Sequence, residues 1–543
     1  NLNNNIIPSP KNFKNVKMLQ SQGQQITVEN VQLRVSDHTI VINGHTTDYL
    51  LKPSVNVYQH GDINAKVPLI LTQYGDNGLT YAAGRKWNTD SDKIPPVLSQ
   101  DIYNRSLPGF GDRVKYPYLT TDDFFEERII EVSYEIDKER FFTGCSKEIT
   151  FLLPLKKIFF EYFRLDDLVH IGHDGKVTYS KMLQMEYDDV RHEVSVSLTL
   201  PLANGHSICL YKKYNTSDES DEKVNCYDAS NTFDFAVFPF YRLEPDTGNN
   251  VYNIMIGTSM DNVSMKFYEP QPNAANNNVP ADRKRRTFKG QPSTTPSQLS
   301  TDHIRVNNVF SYIELSVSNG GLDTIALVIP LFKRVNSNPA IAADKFKFAI
   351  DFGTTNTHVA YVKNAPGAPF GLNDVEPFAY GENDPQMVMF NNKEGVREFG
   401  QFTTAVKREL VPLAIGDTIG KFPIRTATYQ AVGNPPNLEM FFNTNIGFNY
   451  GEDISRSKAY KTNIKWDRFD NFANDRMRTF FAQMLWMMKN KSVLNDCTDN
   501  FDLVVTYPIS MRDGDFENFK RAWDDAIQNV QCGVNIRYRT ESV

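Results

Sequence analysis

The chain's most informative stretch is FKFAIDFGTTNTHVAYV, Phe346–Val362. An apolar run ends there at Asp351, a polar segment with one glycine follows, and a second apolar run starts at His358. The pattern predicts two strands, Phe346–Phe352 and His358–Lys363, joined by a tight turn. A turn that only reverses the chain rarely carries an aspartate and three threonines, so this turn is a candidate for a function.

The polar turn has the residue types that bind the phosphates of a nucleotide. Glycine permits close approach of a bulky anion, and the backbone N–H groups of a tight turn point outward. Threonine hydroxyls add donors, and an aspartate at the end of a strand can hold Mg²⁺, usually through water. The residues concerned are Asp351, Gly353, Thr354, Thr355, Asn356 and Thr357. Residue chemistry alone leaves an ordinary hairpin turn, capped by Asp and Thr, as an equal alternative.

Two segments carry a resemblance to a known superfamily. AIDFGTTNTHVAYV resembles the first phosphate loop of the actin, sugar-kinase and heat-shock chaperone superfamily, nearest the DnaK-type chaperones. Those proteins have an apolar strand, D-[LF]-G-T-T-[NY]-[ST] and a second apolar strand, and seven contiguous positions match. FDLVVTYPISMRDGDFENFKRAWDDAI, Phe501–Ile527, is similar to the segment where a V-V-T-V-P strand precedes an amphipathic helix. VNIRYRTESV then follows where the family has a strand ending in an N-E-P-T-A-like turn.

The resemblance implies an α/β actin-like (ribonuclease H-like) ATPase half over residues 341–543, with ATP and Mg²⁺ as cofactors. Asp351 would correspond to the Mg²⁺-associated aspartate. The loop from Gly353 to Thr357 would surround the β- and γ-phosphates. Glu541 would take the place of the glutamate that orients the attacking water or the metal shell.

The sequence also departs from the family. The chaperones place a catalytic lysine in a G-x-x-A-K stretch, whose counterpart here is EFGQFTTAVKREL, with Thr403 and Thr404 in place of the lysine. Lys407 lies about one helical turn further on and is the candidate, although it is otherwise an ordinary exposed helix charge. The second phosphate loop and the adenosine-binding segment would come after Val543, so the chain covers only the first half of the fold or is a fragment.

Residues 1–340 resemble no family that we recognise. Their sequence pattern predicts an all-β architecture. Short runs rich in Val, Ile, Phe and Tyr recur at regular intervals, which is typical of an antiparallel sandwich. We expect a flexible lead-in at 1–25, a β-rich domain at 26–126 and a β-sandwich-like domain at 127–340. A polar insertion or linker is predicted at 270–300, where Pro, Asn, Ser and Thr dominate.

After residue 340 strands alternate with helices, which predicts an α/β layer with some parallel pairing. Beyond the hairpin, the predicted elements are a helix near 402–410, a helix near 471–489, a strand at 501–507, a helix at 516–530 and a strand at 534–539. In the helix at 516–530 the large apolar residues recur at spacings of three and four, which indicates one face packed on the sheet. Asp513 or Asp515 is expected to cap it.

Composition limits the function classes. The net charge is −7 and the pI is near 5.8, so no global attraction to nucleic acid is expected. The basic run RKRR at 283–286 is interpreted as solvated charge in the linker rather than as a functional patch. Five cysteines without CxxC spacing fit a reducing, cytoplasmic setting, and no apolar run reaches the ~20 residues of a membrane span.

The sequence thus predicts an ATP- and Mg²⁺-dependent actin-like or DnaK-type module with a chaperone-like or assembly role. Its N-terminal β-rich region would bind an unidentified protein partner. Two alternatives remain at this stage, a catalytically inactive actin-fold scaffold in a protein complex and a filament-forming actin-like protein.

Overall fold

The structure is a computed structural model, and its described residues are mostly strands with two long helices near the C-terminal end. It describes residues 19–21, 24–26, 32–34, 39–42, 45–47, 50–55, 68–70, 80–81, 85–86, 101–105, 117–172, 176–202, 205–217, 224–229, 233–246, 250–258, 263–270, 277–286, 300–337, 345–364, 374–381, 384–390, 410–412, 415, 421–430, 437–448, 450, 459–466 and 472–541. Within these residues, no helix combines the length and apolar character that crossing a membrane requires.

The first part of the chain forms short strands, with one 3-10 turn at Ile102–Asn104. The strands are β1 Leu19–Ser21, β2 Gln24–Ile26, β3 Gln32–Arg34, β4 Thr39–Ile42, β5 His45–Thr47, β6 Leu69–Ile70, β7 Thr80–Tyr81, β8 Arg85–Lys86 and β9 Tyr118–Leu119. All of them pair antiparallel except β6 and β9, which pair parallel. An isolated bridge from Leu51 to Leu202 ties this part to the strands that follow.

Residues 117–337, here called the β region, contain the sheets that the sequence predicts in outline. Three one-turn helices are α1 Thr121–Phe124, α2 Phe159–Tyr162 and α3 Leu165–Leu168. The further strands are β10 Ile129–Glu131, β11 Phe141–Phe142, β12 Val169–Ile171, β13 Val177–Tyr179, β14 Leu183–Asp188, β15 Glu193–Pro201, β16 Ser207–Asn215, β17 Cys226–Asp228, β18 Phe233–Phe238, β19 Tyr241–Glu244, β20 Tyr252–Thr258, β21 Val263–Glu269, β22 Asn277–Val279, β23 Ala281–Arg286, β24 Ser300–Val306, β25 Tyr312–Asn319, β26 Leu322–Pro330 and β27 Lys333–Asn336.

One five-stranded sheet, in the order β11-β26-β25-β21-β22, separates two apolar cores. Because side chains alternate across a strand, Ile313 and Leu315 face one core while Tyr312, on the same strand, faces the other. The neighbouring strand behaves in the same way, with Val328 in the first core and Leu327 in the second. A sheet buried on both faces explains why these strands read as nearly continuous apolar runs.

Within the segment predicted as a polar insertion or linker, 270–300, residues 277–286 form β22 and β23, so a structureless linker is wrong for these residues. β23 is the edge strand of a second sheet, in the order β23-β24-β20-β18-β31, and edge strands tolerate charge because one side faces water. Arg283 of the basic run pairs with the buried Asp302 at 2.7 Å, and Lys284 pairs with Glu439 at 3.0 Å. These two cations are therefore held in ion pairs rather than free in a linker.

Residues 345–541, here called the α/β unit, follow the predicted alternation. Their strands are β28 Lys345–Phe352, β29 Asn356–Asn364, β30 Glu376–Pro377, β31 Val388–Met389, β32 Ile424–Arg425, β33 Ala427–Gln430, β34 Thr444–Ile446, β35 Tyr460–Thr462, β36 Asn500–Tyr507 and β37 Gly533–Thr540. The helices are α4 Ala473–Leu494 and α5 Asp513–Val530. The predicted helix near 402–410 falls almost entirely outside the described residues.

The main sheet of this unit, here called the α/β sheet, has the order β30-β29-β28-β36-β37, with β32 also paired to β29. β28, β36 and β37 run parallel, whereas β29 is antiparallel to β28. The alternating burial of β28 places Phe348 and Phe352 on the covered face and Asp351 on the exposed one. Phe352 packs against Phe480 and Phe481 of α4, which fixes the end of β28 on the helix layer.

Helix α5 confirms the predicted apolar face, with Phe519, Trp523 and Val530 buried against the sheet and α4. Its start differs from the prediction, because the N-cap is Arg512 and no side chain caps it. Asp513 and Asp515 lie inside the first turn, where their charges favour the positive end of the helix dipole.

Packing is continuous across the domain boundary predicted at 340/341. At 340/341, β31 of the α/β unit pairs with β18 of the β region, and Phe390 stacks on Phe235 with ring centroids 4.5 Å apart. Tyr241 also donates to the Asn490 side chain on α4 at 3.0 Å. The β region and the α/β unit therefore share one core.

Candidate functional site

The candidate site lies where two parallel strands of the α/β sheet end. β28 ends at Phe352 and β36 at Tyr507, and the chain leaves β28 to one side of the sheet before it returns to β36 on the other. Ligands of open α/β sheets bind at such a point, outside the carboxyl ends of the strands. Asp351 lies there with an exposed side chain, and the Thr506 hydroxyl donates to its Oδ1 at 3.0 Å.

The turn after Asp351 brings backbone atoms close together. Gly353 N donates to Asn356 O at 3.1 Å, and a Cβ added at Gly353 would lie 2.5 Å from that oxygen. Glycine is therefore required by this close approach rather than by a left-handed φ. Thr354, Thr355 and Asn356 are exposed, so the outer surface of the turn is open to solvent.

A threonine from a later segment supports the inner side of the turn. The Thr426 hydroxyl donates to Gly353 O at 2.8 Å, and Thr426 N donates to Thr355 O at 2.9 Å. The Thr357 hydroxyl is 2.8 Å from the Thr426 hydroxyl, and both side chains are fully buried. Thr357, which was among the predicted phosphate ligands, therefore faces the interior and holds the turn in place instead.

A lysine that the sequence analysis does not select lies directly behind the turn. Lys465 Nζ donates to Phe352 O at 2.6 Å, and its side chain is only 2% exposed. Burial lowers the pKa of Lys465 from its usual 10.5, while the nearby charges of Glu541 and Asp351 act in the opposite direction. The adjacent Trp466 donates from Nε1 to the Thr354 hydroxyl at 2.7 Å, so two consecutive residues contact the turn.

Glu541 completes the group from the end of β37. Its backbone N–H donates to Tyr507 O at 2.8 Å, which places the glutamate beside the end of β36. Glu541 Oε1 lies 3.7 Å from Lys465 Nζ, too far for a hydrogen bond. That oxygen is buried and accepts no hydrogen bond from the described residues, so it has capacity for a ligand.

The donor set fits Mg²⁺ bound together with a phosphate. Asp351 and Glu541 offer hard carboxylate oxygens, and Mg²⁺ is typically held by one or two carboxylates, substrate phosphates and water. No group of three or more His, Cys, Asp or Glu side chains suited to a metal ion occurs among the residues that the structure describes. Asp351 and Glu541 could therefore hold a divalent cation only together with further ligands, such as phosphate oxygens or water.

The structure brings together most of the predicted site residues. Asp351, Glu541 and the exposed residues of the turn lie at one edge of the sheet, whereas Lys407 lies outside the described residues. The sequence gives only a weak indication that Lys465 belongs to the site. Asn463, two residues earlier, adopts a left-handed φ of 60°, which is common for Asn in turns. The sequence shows such a turn but not which surface it meets, because β35 reaches the site through non-local pairing with β33.

Comparison with known proteins found no match to this chain. No protein-family model, no curated protein and no solved structure matches the chain. A function can therefore be inferred only from the residues and their geometry, and the resemblance carried by the two motifs stays a prediction.

Proposed function

We propose that the α/β unit is the first half of an actin-like, nearest DnaK-type, nucleotide-binding fold that binds ATP with Mg²⁺. The observation that carries the proposal is the convergence of Asp351, Lys465 and Glu541 around an exposed glycine–threonine turn. These three charged groups come from three separate segments and meet outside the carboxyl ends of parallel strands. That edge is where open α/β sheets bind ligands.

The strand order supports the same conclusion. In chain order, the first to fifth strands of the α/β sheet are β28, β29, β30, β36 and β37. Across the sheet they lie in the spatial order third, second, first, fourth, fifth. Only the second strand, β29, runs against the others, because it pairs antiparallel with both β28 and β30, which are therefore parallel to each other and to β36 and β37. This is the order expected of a ribonuclease H-like half, and it is independent of the motif residues.

Each residue has a role in this proposal. The backbone N–H groups of the turn and the hydroxyls of Thr354 and Thr355 bind the β- and γ-phosphates. Asp351 and Glu541 would hold Mg²⁺, and the bound ion would supply positive charge near the transferring phosphoryl group. Lys465 takes the place that the sequence analysis gave to Lys407 and adds a cation behind the turn. Catalysis of this kind is positioning and electrostatic stabilisation.

The packing of the β region on α4 offers a route by which nucleotide binding at the turn affects the β region. α4 contacts the phosphate-proximal Phe352 near one end, and near the other Lys333 of β27 donates to Leu494 O at 2.6 Å. We propose that nucleotide-dependent movement at the turn changes the affinity of the N-terminal β-rich region for a protein partner in the cytoplasm. All five cysteines are free thiols, which suits a reducing compartment.

Release of phosphate by the full-length protein tests the proposal. Asp351→Asn keeps the side-chain size but removes a charge from the metal, so Mg²⁺-dependent phosphate release should fall at least about 100-fold. Asp502→Asn is the matched control, because Asp502 lies near the opposite end of β36 and contacts Asn535. Unchanged hydrolysis in Asp351→Asn would refute the placement of the site. Tight ATP binding without any hydrolysis in the wild type would favour a scaffold over an enzyme.

A further inference from the structure

A second polar cavity lies between the β region and the α/β unit. Its volume is about 330 Å³, near the lower limit of small-molecule sites, which span roughly 300–1,000 Å³. Strands β20, β23 and β24 form one side, and α4 with the C-terminal end of α5 forms the other. Trp486 and Met440 add apolar surface. Nothing in the proposed nucleotide site uses these residues.

The charged residues of this cavity are mainly cationic. Four cationic side chains, Lys284, Arg305, Arg478 and Lys489, line it with two carboxylates, Asp282 and Glu439. Lys284 pairs with both of these acids, and Arg478 pairs with an aspartate on its own helix. Among the described residues, Arg305 and Lys489 form no ion pair. Arg305 therefore has no ion-pair partner among the described residues of the cavity wall, and Lys489 has only the charge of Asp499, which lies beyond ion-pair distance and favours its protonated form.

Buried donors on α4 also lack acceptors. Asn490 is fully buried, and its Oδ1 accepts from Tyr241, but its Nδ2 has no acceptor within the described part of the chain. Lys489 Nζ donates to Val530 O at 3.4 Å and Gln531 O at 3.2 Å, which uses two of its three protons. An unsatisfied buried donor is costly, so a ligand that accepts hydrogen bonds would be favoured here.

We infer that this cavity binds a small organic polyanion, whose carboxylate or phosphate oxygens accept from the Asn490 amide and from Lys489 and Arg305. The charge excess selects an anion, and the surplus of donors selects a ligand rich in acceptor oxygens. Burial lowers the pKa of Lys489 from its usual 10.5, and a bound anion would oppose that shift. The volume excludes large occupants.

The site is distinct from the phosphate-binding turn. Phe481 of α4 contacts Phe352, next to the turn, and stacks on Trp523 of α5 at 3.9 Å. Trp486, Lys489 and Asn490 lie one to three helical turns further along α4 and line the cavity instead. The two sites therefore share a helix but no ligand-contacting residue.

Calorimetric titration of the full-length protein with citrate, in a metal-free buffer that contains neither Mg²⁺ nor a carboxylate chelator, tests the inference. We expect saturable binding with one citrate per chain. Arg305→Glu and Asn490→Asp should each weaken it at least about tenfold, since each places a negative charge against the ligand. Arg521→Glu, the same charge change on α5 outside the cavity, and Asp351→Asn at the turn should leave citrate affinity unchanged.

Pyrophosphate in the same buffer separates the two anion sites. Weakening by Arg305→Glu supports the cavity, whereas weakening by Lys465→Met alone, which removes the cation behind the turn, assigns that ligand to the turn and overturns the cavity as its site. Absence of saturable binding by both probes, or citrate binding unaffected by Arg305→Glu, would also overturn the inference. Arg305 is exposed, so this variant remains informative if the buried Asn490→Asp does not fold. None of these outcomes bears on Mg²⁺-dependent ATP hydrolysis.

Discussion

Two hairpins of this molecule have similar strands but different turns. β25 and β26 are joined by Gly320 and Gly321, both with left-handed φ values of 59° and 88°. A Cβ added at either glycine would have no other atom within 4 Å. β28 and β29 are joined by the turn from Gly353 to Thr355, where the glycine is required because the Asn356 backbone oxygen lies 2.5 Å from its added Cβ.

The two turns differ in what surrounds them: one only reverses the chain, whereas the other is contacted by several other segments. Two positive φ values suit the twist of a two-residue hairpin, and that explains the Gly320–Gly321 turn completely. The Gly353 turn instead has Thr426 behind it, Trp466 bonded to Thr354, and Lys465 donating to the carbonyl just before it. These contacts exceed what chain reversal requires, and they are the reason that the proposal assigns a ligand to this turn.

The difference between the two turns can be tested by substitution, and the largest effect on activity is expected at Lys465. Lys465→Met should lower the rate of Mg²⁺-dependent phosphate release about 100-fold, because a preorganised cation near the phosphates is lost. Lys520→Met, on the surface of α5, is the control and should hydrolyse ATP at the wild-type rate. Steady-state kinetics on the full-length protein measure both. If Lys465→Met lowers only thermal stability while kcat and KM hold, Lys465 is structural and the two turns are more alike than proposed.

The next largest effect is expected on the free energy of unfolding, when Gly353 and Gly320 are each replaced by alanine. Gly353→Ala forces a Cβ against Asn356 O and should destabilise by about 1–3 kcal/mol, because the turn must open. Gly320→Ala should cost about 1–2 kcal/mol through its left-handed φ alone. Urea unfolding measures both costs.

ATP affinity should separate these variants although their stabilities are similar. Only Gly353→Ala is expected to lose nucleotide binding, since only this turn is proposed to contact phosphate. Equal ATP affinity in the two variants would remove the functional distinction between the hairpins.

The smallest effect is a pH dependence at Lys465. Burial lowers its folded-state pKa below the unfolded value near 10.5, so the unfolded chain binds more protons between the two values. The contribution of Lys465 to stability should therefore rise with pH across that window and be lost as pH falls through the folded pKa. Subtracting the unfolding free energies of Lys465→Met from those of the wild type isolates this slope. A difference that stays flat or falls as pH approaches 10.5 contradicts the burial of this ammonium.

The sequence predicts the local elements of the α/β unit well. The strand predicted at Phe501–Tyr507 is observed at Asn500–Tyr507, and the apolar spacing from Phe519 to Val530 gives the buried face of α5. The tight turn predicted after Asp351 is also observed, between β28 and β29. These features depend on neighbours in the chain, which periodicity and turn chemistry report directly.

Non-local packing explains what the sequence does not reveal. Lys465 reaches the turn because β35 pairs with β33, and no local pattern encodes that meeting. Residues 277–286 look like a polar linker, yet they form strands because a neighbouring sheet accepts a charged edge and Asp302 pairs with Arg283. The alternation of Ile313 and Tyr312 between two cores becomes visible only once both faces of the sheet are covered.

The most direct test of the central claim is a crystal structure of the full-length protein with Mg²⁺ and a non-hydrolysable ATP analogue. The account predicts phosphate oxygens within hydrogen-bonding distance of the backbone N–H groups of Thr354 and Thr355, with Mg²⁺ beside Asp351. A nucleotide bound elsewhere with this turn untouched, or no nucleotide at a saturating concentration, would contradict it.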